Sequence, residues 1–206
     1  MLNDDDLRSS VQIARTNWGY WRDVFEHAGP VAANPIFAEP GKRFSSFCKE
    51  YSVHRTIRAG MQNEFRLTLM KLLPAAVSDD SGQLLDQIEK HVRPSFGTCN
   101  GTRGMLSVIS KVAAFVRPER FVAWDTYARK GLNISSGHNP NASYDGYADY
   151  LRTFDDAWNG EMGDRVRRYI SKNGTNSTIE VEARFQRRVL DVALMKCGNR
   201  KMSETW

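Results

Sequence analysis

An all-α fold is what this sequence predicts, on three observations. Apolar residues recur at alternating spacings of three and four along most of the chain, the pattern of a helix with one buried face. Proline and glycine punctuate those stretches, at Gly29-Pro30, Gly60, Pro74, Pro94 and Gly198. Ten Phe, seven Tyr and five Trp in 206 residues supply enough apolar surface for helices to pack around a core.

The elements follow in order. Val11, Ala14, Trp18, Trp21 and Phe25 form the face of a first helix, preceded by the acidic run Asp4-Asp5-Asp6, favourable at a positive helix end, and stopped by Gly29-Pro30. After a loop reaching about Gly41, Phe44, Phe47, Tyr51 and His54 make a second stripe, closed by Gly60. Phe65, Leu69 and Leu72 mark a third helix, ended by Pro74. Asp80 and Gln83 have capping-box spacing ahead of Leu84, Ile88 and Val92, with Pro94 ending that helix and 95–103 a loop. An apolar helix follows over about 104–116, then a short one from about 126. Tyr144, Tyr147, Leu151, Phe154 and Trp158 repeat the helical spacing. The last segment is ambiguous at its start: Ile179-Glu180-Val181-Glu182 alternates like a strand, while Phe185, Val189 and Val192 favour a helix with Gly198 past its end.

Several function classes are excluded or left without support. No stretch reaches the roughly 18 uncharged apolar residues of a membrane span. The acidic N-terminus lacks the basic and then apolar pattern of a secretion signal, so a cytoplasmic location is expected. Three widely spaced cysteines, Cys48, Cys99 and Cys197, suit a reducing compartment better than a disulfide framework. Neither they nor the four histidines fall in a metal-ligand spacing, so neither a metal nor another cofactor is expected.

The net charge of +5 permits a nucleic-acid partner without requiring one. Its distribution is more informative. Between residues 100 and 135, Arg103, Lys111, Arg117, Arg120, Arg129 and Lys130 stand against Glu119 and Asp125, a local +4. A solvated basic face is one reading and a phosphate-binding surface the other.

Lys111 is the only charge in the apolar run 104–116, with Val108 and Phe115 as its helical neighbours. It either snorkels to the surface or sits partly desolvated, which favours the neutral, nucleophilic amine. Asp125 follows the apolar run Phe121-Val122-Ala123-Trp124 and opens the next helix as an N-cap. A capped carboxylate is held ionised and fixed, and that state is compatible with a second role.

The stretch Leu106-Ser107-Val108-Ile109-Ser110-Lys111-Val112-Ala113 resembles the second half of the helix-hairpin-helix in the HhH-GPD superfamily of DNA glycosylases, Leu-Pro-Gly-Val-Gly-x-Lys-x-Ala. That superfamily includes endonuclease III and 8-oxoguanine DNA glycosylase. Trp124-Asp125-Thr126-Tyr127-Ala128-Arg129 is similar to its Val-Asp-Thr-His-Val-x-Arg, and the segment from Phe185 to Leu194 looks like the closing helix of bacterial proteins with the 8-oxoguanine glycosylase fold. The likeness covers 104–132 and, more loosely, 144–198.

The resemblance implies a compact helical glycosylase-like domain over 1–206, with a degenerate hairpin and the catalytic segment in about 85–135; a two-lobed arrangement is the alternative. It implies Lys111 as the nucleophile that attacks the sugar C1′ and Asp125 as the group that stabilises the cationic sugar and assists proton transfer. The expected partner is double-stranded DNA with a flipped-out base, bound by a monomer through Arg103, Arg117, Arg120, Arg129 and Lys130. Phe185 and Gln186, with Trp18, Trp21 and Phe96 as further stackers, are the base-pocket candidates; core packing is the other reading of each. The expected activity is excision of a damaged or modified base, with Schiff-base strand cleavage in prospect, in repair or in defence against modified phage DNA.

The chain departs from the family at Ser107 and Ile109, where the pattern has glycine, and in a shorter Lys-to-Asp interval. Those departures favour the rival reading, a non-catalytic helical DNA- or protein-binding module that kept the fold.

Overall fold

The computed structural model describes residues 2–26, 40–51, 56–58, 60–75, 80–97, 104–174 and 182–198, with the backbone alone over 18–26, 40–43 and at 75. The expectations for Gly29-Pro30, His54, the 98–103 part of the expected loop 95–103 and the alternating run 179–181 lie outside these residues; Ser95 and Phe96 are helical, not loop.

Among the described residues nine helices succeed one another: α1 Asp4–Glu26, α2 Pro40–Glu50, α3 Gln62–Ala75, α4 Ser81–Phe96, α5 Gly104–Val116, α6 Thr126–Ser135, α7 Gly146–Asn159, α8 Glu161–Asn173 and α9 Ala183–Cys197. The extended pairing described is a single bridge, Ile57 to Gly97. The chain is all-helical there, as the periodicity predicts.

Local chemistry sets the helix ends. Asn3 accepts from the Asp6 amide at 2.7 Å, so the acidic run forms the first turn of α1 rather than preceding it. Asp80 caps α4 by accepting from the amides of Gly82 and Gln83. Pro74 and Pro94 lie inside the last turns of α3 and α4 instead of ending them. The last carbonyls of a helix have no intrahelical donors and need them from elsewhere. At α4 Arg58 supplies them, its amide to Phe96 at 2.8 Å and its guanidinium to Pro94 and Gly97 at 3.0 and 2.9 Å.

A single hydrophobic cluster draws on all nine helices, including Leu7, Phe47, Phe65, Val92, Val112, Leu132, Phe154, Val166 and Leu190. The helices α5 and α9 are buried around most of their circumference. A third long helix, α1, packs against both, and α9 packs most extensively on α6. The charged side chains buried with α9 form ion pairs. Arg188 bonds Asp191 and the Tyr51 hydroxyl while its guanidinium lies 5.2 Å from the centre of the Phe115 ring. Arg187 pairs with Asp155 and lies over Phe154.

Burial has a consequence at alkaline pH. It pushes the Cys48 thiol and the Tyr144 phenol up to about 12, and raises Tyr147 and Tyr150 well above the usual phenol range. Each group is more acidic in the unfolded chain, so the stability it contributes is intact below about pH 9 and is lost as pH climbs through 12. The urea midpoint is therefore expected to fall steeply between pH 9 and 11. Phenolate absorbance from the buried tyrosines should grow in together with unfolding; growth at constant fold would contradict their burial.

Candidate functional site at the junction of α5 and α6

The path of the chain brings Lys111 and Asp125 together. After α5 the chain turns at 117–120 and runs back alongside that helix through buried Phe121, Val122 and Ala123. Three hydroxyls fix the returning strand of chain. The Tyr147 hydroxyl donates to the Val122 carbonyl at 2.9 Å and accepts from the Val122 amide at 3.1 Å. The Ser110 hydroxyl accepts from the Trp124 amide at 2.9 Å, and the Ser107 hydroxyl donates to the Trp124 carbonyl at 3.1 Å. Asp125 follows at the N-cap of α6, its carboxylate accepting from the Tyr127 amide at 2.9 Å.

From that position Asp125 Oδ2 lies 3.4 Å from Lys111 Nζ. The ammonium also donates to Ser107 Oγ at 3.0 Å. Lys111 is 4 % exposed and Asp125 7 %. Of the two outcomes open to a lysine on an apolar helix, the structure takes the buried one, with a carboxylate partner rather than a route to solvent.

The remaining expected site residues divide. Arg129 joins the pair: one turn into α6, its guanidinium lies 4.2 Å from the centre of the Trp124 ring. Burial holds that guanidinium below its usual range, against the opposing pull of Tyr150, Asp125 and Tyr144. Lys130 follows it, half-buried. Arg117 and Arg120 lie in the turn beyond the far end of α5, Arg117 about 9 Å along the helix axis from Lys111. There Arg117 pairs with Glu119 at 3.3 Å and Arg120 donates to Ser81 at 3.2 Å. Arg103 and the side chains of Trp18 and Trp21 lie outside the described residues.

Phe96 and Phe185 are core residues. Phe96 packs edge-on against Phe65 with ring centres 5.5 Å apart, and Phe185 has no exposed surface. Gln186 is half-buried in the first turn of α9. The first turn of α6 meets α9 at its opposite end, where a Cβ on Gly198 would touch the Tyr127 carbonyl. Along the helix axis that is roughly 18–20 Å from Phe185 and Gln186.

Two residues beside the pair escaped the sequence reading. Ser107 stands where the resembled pattern has glycine, and its spacing of four from Lys111 puts both on one helix face. Tyr127, two residues past Asp125, is 42 % exposed, one of two large apolar side chains so exposed among the described residues. Its missing place in any apolar stripe was the available signal.

Among the described residues no cluster of three or more His, Cys, Asp or Glu could hold a metal ion, and no helix is long and apolar enough to cross a membrane. Comparison with protein-family models, curated proteins and solved structures finds no match for this chain.

Proposed function

We propose that this chain is a DNA glycosylase that removes a damaged or modified base through an amine nucleophile, Lys111. The observation that carries the reading is the Lys111–Asp125 pair itself: an ammonium and a carboxylate 3.4 Å apart, buried where α5 meets the start of α6. An amine nucleophile needs a neighbouring base to take its proton and a fixed position. Asp125 sits where it accepts that proton, held by its N-cap bond.

In the proposed reaction the ammonium proton passes to Asp125. The freed lone pair bonds to the sugar C1′ as the C1′–base bond breaks, the electron pair leaving with the base, which takes a proton. Having protonated the base, Asp125 takes a second proton from the now four-bonded nitrogen; the recovered lone pair completes a C=N⁺ bond, the Schiff base, as C1′–O4′ breaks and O4′ takes that proton from Asp125. Asp125 ends as the carboxylate and stabilises the positive charge of the Schiff base. Arg129, stacked on Trp124 at the mouth of α6, and Lys130 beside it are the cations placed to meet a flanking phosphate.

A second reading, a non-catalytic helical binding module, draws on the burial of the same pair, which suits a structural ion pair. Trapping separates the two. Duplexes carrying an abasic site or a panel of modified bases are incubated with the protein and borohydride, which reduces a Schiff base to a stable amine. The glycosylase reading expects a covalent adduct with wild type, none with Lys111→Gln, and slower turnover with near-normal duplex binding for Asp125→Asn. Absence of both adduct and base release on every duplex would leave the binding module. An adduct that survives Lys111→Gln would move the nucleophile elsewhere.

A further inference from the structure

Resting on that reading, we propose that Ser107 is a positioning residue that sets the Lys111 amine for attack. In a helix the long side chains lean back toward the N-terminus, so a lysine passes over the residue four positions earlier. Lys111 does this, and the residue it meets is a serine whose hydroxyl accepts from Nζ at 3.0 Å. The same hydroxyl donates to the Trp124 carbonyl at 3.1 Å. With its own proton committed to Trp124, the hydroxyl turns a lone pair toward the amine.

Trp124 is the residue before Asp125, so one hydroxyl ties the nucleophile to the peptide that carries its proton acceptor. Ser110 completes the arrangement. It accepts from the Trp124 amide at 2.9 Å and donates to the Ser107 carbonyl at 3.1 Å. Both polar groups of the Trp124 backbone are therefore held by α5, and the returning chain stays in register with it. Ser107 bonds the amine directly, whereas wholly buried Ser110 bonds the backbone. A lysine has four rotatable bonds, and holding its end in one place before reaction is where such a contact acts.

The test is the rate of borohydride trapping on an abasic duplex at saturating protein, measured across pH. Ser107→Ala should slow trapping about tenfold while leaving duplex affinity unchanged. The acid-side fall in rate should also move to lower pH, because the ammonium has lost an acceptor that favoured it. Ser107→Thr keeps the hydroxyl and should stay within about threefold of wild type. Ser107→Cys, a close match in shape with a weak acceptor, should fall with alanine, and it is the variant read if alanine fails to fold. Wild-type rates and pH dependence in both the Ala and Cys variants would overturn the inference. So would equal losses in Ala and Thr at unchanged pH dependence, which would mark Ser107 as structural alone. A wild-type protein that never traps overturns the glycosylase reading and this inference with it, a result distinct from either.

Discussion

Lys111→Met is expected to abolish covalent trapping and, in the same protein, to lower the unfolding free energy by about 3–5 kcal/mol. Methionine matches the four-atom stem of the lysine and removes the ammonium, with its charge and its bond to Ser107. It leaves the Asp125 carboxylate 7 % exposed and without the ammonium at 3.4 Å. An uncompensated buried charge costs far more than the intact pair contributes. Adding Asp125→Asn should restore most of the stability, since asparagine caps helices as well as aspartate and no charge then remains. Trapping should stay absent in the double variant. Urea unfolding of the two single variants and the double closes a thermodynamic cycle whose coupling term belongs to the pair. A loss below about 1 kcal/mol for Lys111→Met would mean that the pair is open to solvent, contrary to its burial.

Gly131→Ala is the second large effect, and it acts through the backbone. A Cβ at Gly131 would lie 1.9 Å from the Leu194 carbonyl oxygen, and one at Gly198 would lie 1.9 Å from that of Tyr127. Those atoms belong to helix backbones, so no side chain can swing aside. The axes of α6 and α9 must separate, at the most extensive helix contact of the fold. Stability should fall by at least about 3 kcal/mol, at the upper end of overpacking losses, read as a lowered melting temperature by circular dichroism. Because α6 begins at Asp125, the displacement should also slow trapping in whatever fraction remains folded. A melting temperature within a few degrees of wild type would contradict the close approach.

Much of this was legible in the chain. The cap at Asp80, the near-uniform apolarity of α5 and the Gly198 stop of α9 are local signals, and each appears where its spacing puts it. The pairing of Lys111 with Asp125 was expected only through the family resemblance, and the geometry brings the two side chains together. What failed to show had physical reasons. The helix α8 escaped notice because its buried face is only Gly163, Val166 and Ile170. Part of its cover is the Arg167 side chain, its guanidinium over Trp158, and charged residues carry no apolar periodicity. The helices α3 and α4 run one and two residues past Pro74 and Pro94, and at α4 the last carbonyls are met by Arg58, which is distant in sequence. The α6–α9 approach depends on two glycines 67 positions apart, which no local window joins. Phe96 and Phe185 were candidate stackers through the family resemblance alone; helical spacing favours core for both, and packing places them there.

The most direct test of the central claim is the position of the adduct. Wild-type protein is reduced with borohydride on an abasic duplex, digested, and the cross-linked peptide is sequenced by mass spectrometry. The account predicts a single modified residue, Lys111, in the tryptic peptide from Gly104 to Arg120, since the Arg117–Pro118 bond resists trypsin. A modification at the N-terminal amine or at another lysine, or no adduct at all, would contradict it.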